Sequence, residues 1–164
     1  MPANAYLAPA FDRYMKAVEI ADQGFAPYPT DPNVPPGEAF ANEAGTIHNL
    51  AIGNFRTATL IYSRHGSLRS NHYHKTDWHI ITVLEGVMQY WWRNVGLSEQ
   101  PKTLTIYPGQ SVFTGPLILH ATFFPKATTL FVVSKNPRDH ENHEKDTVRM
   151  ELIKVVNGQP VVSI

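Results

Sequence analysis

Along residues 10–21, Phe11, Tyr14, Met15, Val18 and Ala21 recur at helical spacing, with Asp12, Arg13, Lys16 and Glu19 between them. That period predicts a short amphipathic helix, with Gly24 as its stop. Pro27, Pro29, Pro32, Pro35 and Pro36 follow, then Gly37. Proline fixes φ and lacks a backbone donor, so 27–37 cannot be a helix or a central strand. It is expected to be an extended arm over the body or toward a partner chain. From residue 46 the period shortens to that of strands. The runs are 46–52, 57–64, 78–84, 87–93, 103–107, 111–114, 120–124, 129–134, 148–155 and 161–164. Gly53-Asn54, Gly66, Glu85-Gly86, Pro108-Gly109, Pro125-Lys126 and Asn157-Gly158 break them. Many short strands at this spacing predict an all-β sandwich or barrel rather than alternating β and α units. The division expected is a helix and arm over 1–45 and a β body over 46–164. Asn136–Asp146 is dense in charge and reads as a solvated loop, with His140 and His143 as surface residues.

Composition narrows the function classes. At 164 residues the chain is one domain's worth and long enough to bury a core. Lys plus Arg and Asp plus Glu are 14 each, which gives no electrostatic case for nucleic acid or an anionic membrane. The uncharged apolar runs fall short of a membrane span, and no secretory signal is visible, so a cytoplasmic protein is expected. Cysteine is absent, which excludes disulfides, thiolate nucleophiles and Cys-based metal sites. Eight histidines remain, so metal chemistry here would use imidazole and carboxylate. No G-x-S-x-G, Gly-rich phosphate loop or glycosidase-type carboxylate pair stands out.

The informative segment is Gly66–Gly86. His72 and His74 are two apart, so on a strand both face one side. His79 follows His74 after four residues that could turn the chain, and His120 opens a later run. Four imidazoles from three places can surround one divalent ion. The spacing Gly66-x5-His72-x-His74-x4-His79-x6-Gly86 resembles the first motif of the cupin superfamily, with His79 where that family usually has Glu. From Gly109 to His120 the register of the second motif is kept. Gly115, Leu117 and Phe124 stand at its Pro, Gly and Asn positions. The resemblance spans about residues 46–135 and implies a double-stranded β-helix, or jelly-roll barrel. It implies a metal in the barrel's mouth held by His72, His74, His79 and His120. A set of neutral imidazoles suits Zn²⁺, Fe²⁺, Ni²⁺ or Cu²⁺ and disfavours Mg²⁺ and Ca²⁺.

Neighbouring residues have weaker assignments. Arg69, Lys75 and Trp92 are candidates for binding substrate, Tyr90 and Tyr73 for moving a proton, and Asp77 for orienting a ligand histidine. Alternation nevertheless turns Tyr73 away from His72 and His74. Adjacent Trp91 and Trp92 must face opposite sides. The pattern leaves open whether Met88, Tyr90 and Trp92 or Val87, Gln89 and Trp91 line the interior. Phe113, Phe123, Phe124 and Phe131 are simplest as core, and His48 and His65 are unassigned. The run Arg69-x-x-His72-x-His74-Lys75 is similar to cupins of sugar-nucleotide and surface-polysaccharide pathways. That similarity implies an isomerase or epimerase using its metal as a Lewis acid on a small polar metabolite. The alternatives are a non-haem Fe(II) dioxygenase and a non-catalytic ligand-binding or sensor cupin. A homodimer is expected, since single-barrel cupins often pair through N-terminal segments.

Overall fold

The computed structural model describes residues 31–34, 37–50 and 55–163. The helix expected over 10–21 and most of the proline-rich arm lie outside them. In chain order the strands are β1 (Asn33–Val34), β2 (Gly37–Asn42), β3 (Gly45–Asn49), β4 (Thr57–Ser63), β5 (Leu68–His74), β6 (His79–Glu85) and β7 (Met88–Asn94). They continue as β8 (Lys102–Ile106), β9 (Ser111–Thr114), β10 (Ile118–Phe123), β11 (Thr128–Ser134), β12 (Thr147–Arg149), β13 (Ile153–Val156) and β14 (Gln159–Val162). One helix, α1 (His140–Asp146), lies between β11 and β12.

Two antiparallel sheets of five strands form the body, in the orders β1-β9-β6-β11-β4 and β12-β5-β10-β7-β8. Inward residues of both sheets meet in one apolar core. Ile81, Val83, Val112, Leu130 and Val132 come from the first sheet, and Met88, Tyr90 and Ile106 from the second. Phe124, just past β10, joins them. The second sheet buries its outer face too. Leu119, Ala121 and Phe123 pack there against Leu152 and Ile153, with Trp91 and Tyr73 alongside. The β13-β14 hairpin thus covers that sheet's back.

This layering resolves the tryptophans. Met88 and Tyr90 lie in the central core with Trp92 packed against it, while Trp91 packs in the outer cluster. Phe113, Phe123 and Phe124 are buried, whereas Phe131 is only half-buried on β11. The run expected as one strand over 148–155 divides in two. β12 pairs with β5, and β13 pairs with β14. The side chain of Asn71 fixes the break, its Oδ1 accepting from the backbone N–H groups of Leu152 and Ile153. The described end of the proline-rich segment adds β1 to the sheet edge beside β9, and the Phe113 N–H donates to the Pro32 carbonyl.

The segment expected as a solvated loop contains α1. Asp139 caps it, accepting from the Asn142 N–H at 3.1 Å. Lys145 Nζ reaches Glu141 one turn back. Its charges do face solvent, but the helix also carries His143 and Asp146 to the barrel.

Candidate metal centre

β5 enters the barrel through a backbone irregularity. Ser70 and Asn71 take positive φ of 68° and 55°, and the register against β10 shifts beside them. Such values are uncommon outside glycine. Here Asn71 is held by its bonds to residues 152 and 153. Beyond the bend alternation resumes, so His72 and His74 point inward and Tyr73 packs outside. His120 on β10 is the cross-strand partner of His72. His79 opens β6 on the facing sheet.

The four imidazoles converge. Ring centroids are 4.8 Å apart for His72 and His74, 4.8 Å for His72 and His120, 5.4 Å for His74 and His79, and 5.0 Å for His79 and His120. His143 of α1 is a fifth member, 5.3 Å from His74 and 6.0 Å from His72. Its expected place on a solvated surface is therefore corrected: α1 folds its ring against the barrel mouth. His140 is exposed, as expected.

Burial makes these rings neutral. Desolvation, aided by neighbouring His120, His143 and Arg138, lowers His72 to about 2. Desolvation likewise lowers His74 and His120 to about 3 and His79 well below its ordinary value. Hydrogen bonding then directs the lone pairs. His120 Nδ1 is 3.1 Å from the Ile118 carbonyl oxygen, and His74 Nδ1 is 3.3 Å from an Asp146 carboxylate oxygen. Each acceptor holds the proton on Nδ1 and frees Nε2. His74 Nε2 and His79 Nδ1 are buried without a partner among the described residues.

Those orphaned nitrogens test whether an ion fits. Ligand atoms of His72, His74 and His120 lie within 4.8 Å of one another, as do those of His74, Asp77 and His79. An ion bound at about 2.1 Å per nitrogen needs ligands no more than about 4.2 Å apart. Small side-chain adjustments reach that, so either group of three, sharing His74, could hold a divalent transition metal.

The carboxylate that reaches His74 is Asp146, a residue not singled out by its place in the charged segment 136–146. Desolvation would raise it, but bonds from the Thr76 hydroxyl and the Thr76 and Asp77 N–H groups hold it below the usual carboxylate range. Asp77 is also buried, accepts from the Asn136 N–H at 2.8 Å, and is raised to about 6 by burial.

A cavity of about 160 Å³ opens beside the imidazoles. His72, His79, His120 and His143 line it, together with Arg69, Arg138 and the apolar side chains Ile61, Ile81, Leu130 and Val132. Of the expected substrate contacts, only Arg69 lies here. Lys75 is exposed, its ammonium donating to the Lys145 carbonyl, because β5 has ended and its chain turns outward. Trp92 lines a different cavity, of about 420 Å³, with Tyr90, Lys102 and Phe113. Tyr90 stacks on His120 at 6.1 Å, but its hydroxyl is buried on Thr114 Oγ1 at 2.8 Å, and desolvation raises its pKa. It lines that second cavity and not the one beside the imidazoles. Tyr73 is on the other side of its sheet, as alternation requires.

No family model matches the chain, and no curated protein matches it. Solved structures do. A sugar 3,4-ketoisomerase from Thermoanaerobacterium thermosaccharolyticum in complex with TDP aligns at a TM-score of 0.57 and 17% identity, over 70% of this chain and 84% of that one. The chain folds as a cupin-type jelly roll. A 3,4-ketoisomerase from Helicobacter canadensis gives 0.57 and 14% over 71% and 88%. A dTDP-4-dehydrorhamnose 3,5-epimerase from Elizabethkingia anophelis NUHP1 gives 0.56 and 13% over 67% and 71%. At these identities the likeness is one of fold. Among the described residues no helix is long and apolar enough to cross a membrane.

Proposed function

We propose that this cupin barrel is a metal-dependent isomerase or epimerase acting on a small polar metabolite of the sugar type. The observation that carries the reading is the convergence of His72, His74, His79 and His120, all held neutral, with a buried nitrogen of His74 and of His79 unclaimed among the described residues, beside a cavity. A bound Zn²⁺, Fe²⁺, Ni²⁺ or Cu²⁺ would supply Lewis acidity toward a carbonyl or enediolate. Asp146 holds His74 in the ligand tautomer. His143, on the cavity wall and half-exposed, is the group set to take and return a proton. The structural neighbours are enzymes of keto-sugar isomerisation and epimerisation, which adds support for that reaction class.

The test is elemental analysis of protein purified without added metal, followed by NMR of solvent deuterium entry into a panel of hydroxy-ketones and aldoses. Stoichiometric metal and exchange are expected. His143→Asn should keep the metal and slow exchange about 10²-fold or more. Protein that takes up no transition metal, or iron with substrate-dependent oxygen consumption, overturns the reading. The homodimer belongs to the same proposal. Leu60 and Tyr62 are 54% and 69% exposed on β4, at the edge of its sheet, and an apolar edge strand favours pairing. Sedimentation should give twice the 18.4 kDa of one chain; a single-chain mass refutes it.

A further inference from the structure

Arg138 lines the barrel cavity as a cation with no ion-pair partner among the described residues. It leaves β11 on a short segment pinned at three points. Lys135 N–H donates to the Trp78 carbonyl, Asn136 N–H to Asp77 Oδ1, and Arg138 N–H to Thr57 Oγ1. Thr57 Oγ1 in turn donates to the Asn136 carbonyl at 3.2 Å. The backbone that carries the guanidinium is therefore fixed to the sheet rather than held in a loose loop. Its Nε is buried with no hydrogen-bond partner among the described residues. No carboxylate there lies within ion-pair distance, although Asp77 is near enough to favour its charge.

The surroundings make this unusual. Arg138 shares the cavity with His72, His79, His120 and His143. The other arginine, Arg69, is already engaged, its Nε on Ser63 Oγ and one terminal nitrogen on the Tyr62 carbonyl, both at 2.9 Å. A guanidinium N–H buried without an acceptor is costly, whereas a guanidinium meets a carboxylate with two parallel hydrogen bonds. Ile61, Ile81, Leu130 and Val132 line the same cavity, which suits a short carbon skeleton. About 160 Å³ is small beside ordinary ligand pockets of roughly 300–1,000 Å³.

We infer that Arg138 is a specificity-determining residue that binds the carboxylate of a compact hydroxy- or oxo-acid in the barrel cavity. The inference deepens the proposed function and rests on its placing the ligand in this cavity. It names the substrate class as a small organic acid, with the carboxylate on Arg138 and the hydroxy-ketone end toward the histidines.

Calorimetry on metal-free and Zn²⁺-loaded protein tests it, using glycolate against glycolamide, D-glucuronate against D-glucose, and TDP. Each acid should bind at least 10-fold more tightly than its neutral counterpart in both forms. Arg138→Gln should abolish that preference and Arg138→Lys restore part of it. The acid–amide comparison needs only the native chain, so it stands even where a variant folds poorly. The Arg138 Nε–H resonance, read in the same native protein, should move on adding the acids. Equal binding of acid and neutral probe, an unchanged preference in Arg138→Gln, or TDP binding while the acids do not, overturns the inference. The metal-free arm separates the two readings: if no metal binds but the acid preference persists, the proposed reaction fails and the Arg138 site remains.

Discussion

Four imidazoles, three buried and His72 half-buried, that must stay neutral set how the metal-free protein responds to acid. In the folded chain His72 titrates near 2 and His74 and His120 near 3, with desolvation the first cause, against about 6.5 when unfolded. Below pH 6.5 the unfolded state therefore binds more protons, and stability falls as pH drops from that value toward the folded pKa values. Asp77 acts in the opposite sense. Burial raises it to about 6, so between about 6 and its ordinary 3.8 the folded form binds the extra proton. One carboxylate opposes four imidazoles, and the net sign follows the imidazoles. Urea midpoints of chelator-treated protein should fall steadily between pH 7 and 5; a flat or rising series would refute neutral burial. At this scale the four histidines were legible because strand alternation and motif register both act on them. Arg138, His143 and Asp146 were not. Their inward faces are polar, so α1 and the segment before it show no apolar stripe, and hydrophobic periodicity has nothing to detect.

Strands were easier to read than the irregularities between them. Most of the apolar runs became strands with ends displaced by a residue or two, because the pleat forces alternation wherever one face is buried. The bend at Ser70-Asn71 escaped, since neither residue type advertises positive φ as glycine does and the bonds that hold it come from residues 152 and 153. Gly86 is the reverse case, a turn residue visible in the sequence whose necessity only packing explains. Its φ is 90°, and a Cβ there would lie 2.3 Å from the Ala127 carbonyl oxygen and 2.5 Å from Thr128 Oγ1. That hydroxyl is not free to yield, because it accepts from the Val87 N–H and its one proton lies between the Val87 and Lys126 carbonyls, each 2.9 Å away. Gly86→Ala combines an unfavourable φ with a backbone clash and should destabilise by about 2–4 kcal/mol. Chemical denaturation measures it; a loss under about 1 kcal/mol would mean that the β6–β7 turn relaxes freely.

For the whole molecule, the four-histidine cluster matters because it joins both sheets. His72, His74 and His120 stand on β5 and β10 of one sheet, and His79 on β6 of the other. Sequence spacing could align these residues with a motif, but only the closure of the two sheets brings His79 to 5.4 Å from His74. An ion held by all four would be a cross-link that exists in the folded state alone. Its binding energy then adds to global stability as RT ln(1 + [L]/Kd), about 2.7 kcal/mol at a hundredfold excess over Kd. For a chain of this length that corresponds to a rise in Tm of roughly 5–10 °C. Chelator should reverse the rise, and Zn²⁺ or Ni²⁺ should restore it where Mg²⁺ does not. His79→Ala is the informative variant because it removes the only ligand on the first sheet. It should keep weak metal binding through β5 and β10 while losing most of the gain in Tm. If His79→Ala gains as much from metal as the native chain does, the ion is held by one sheet and the cross-link is refuted.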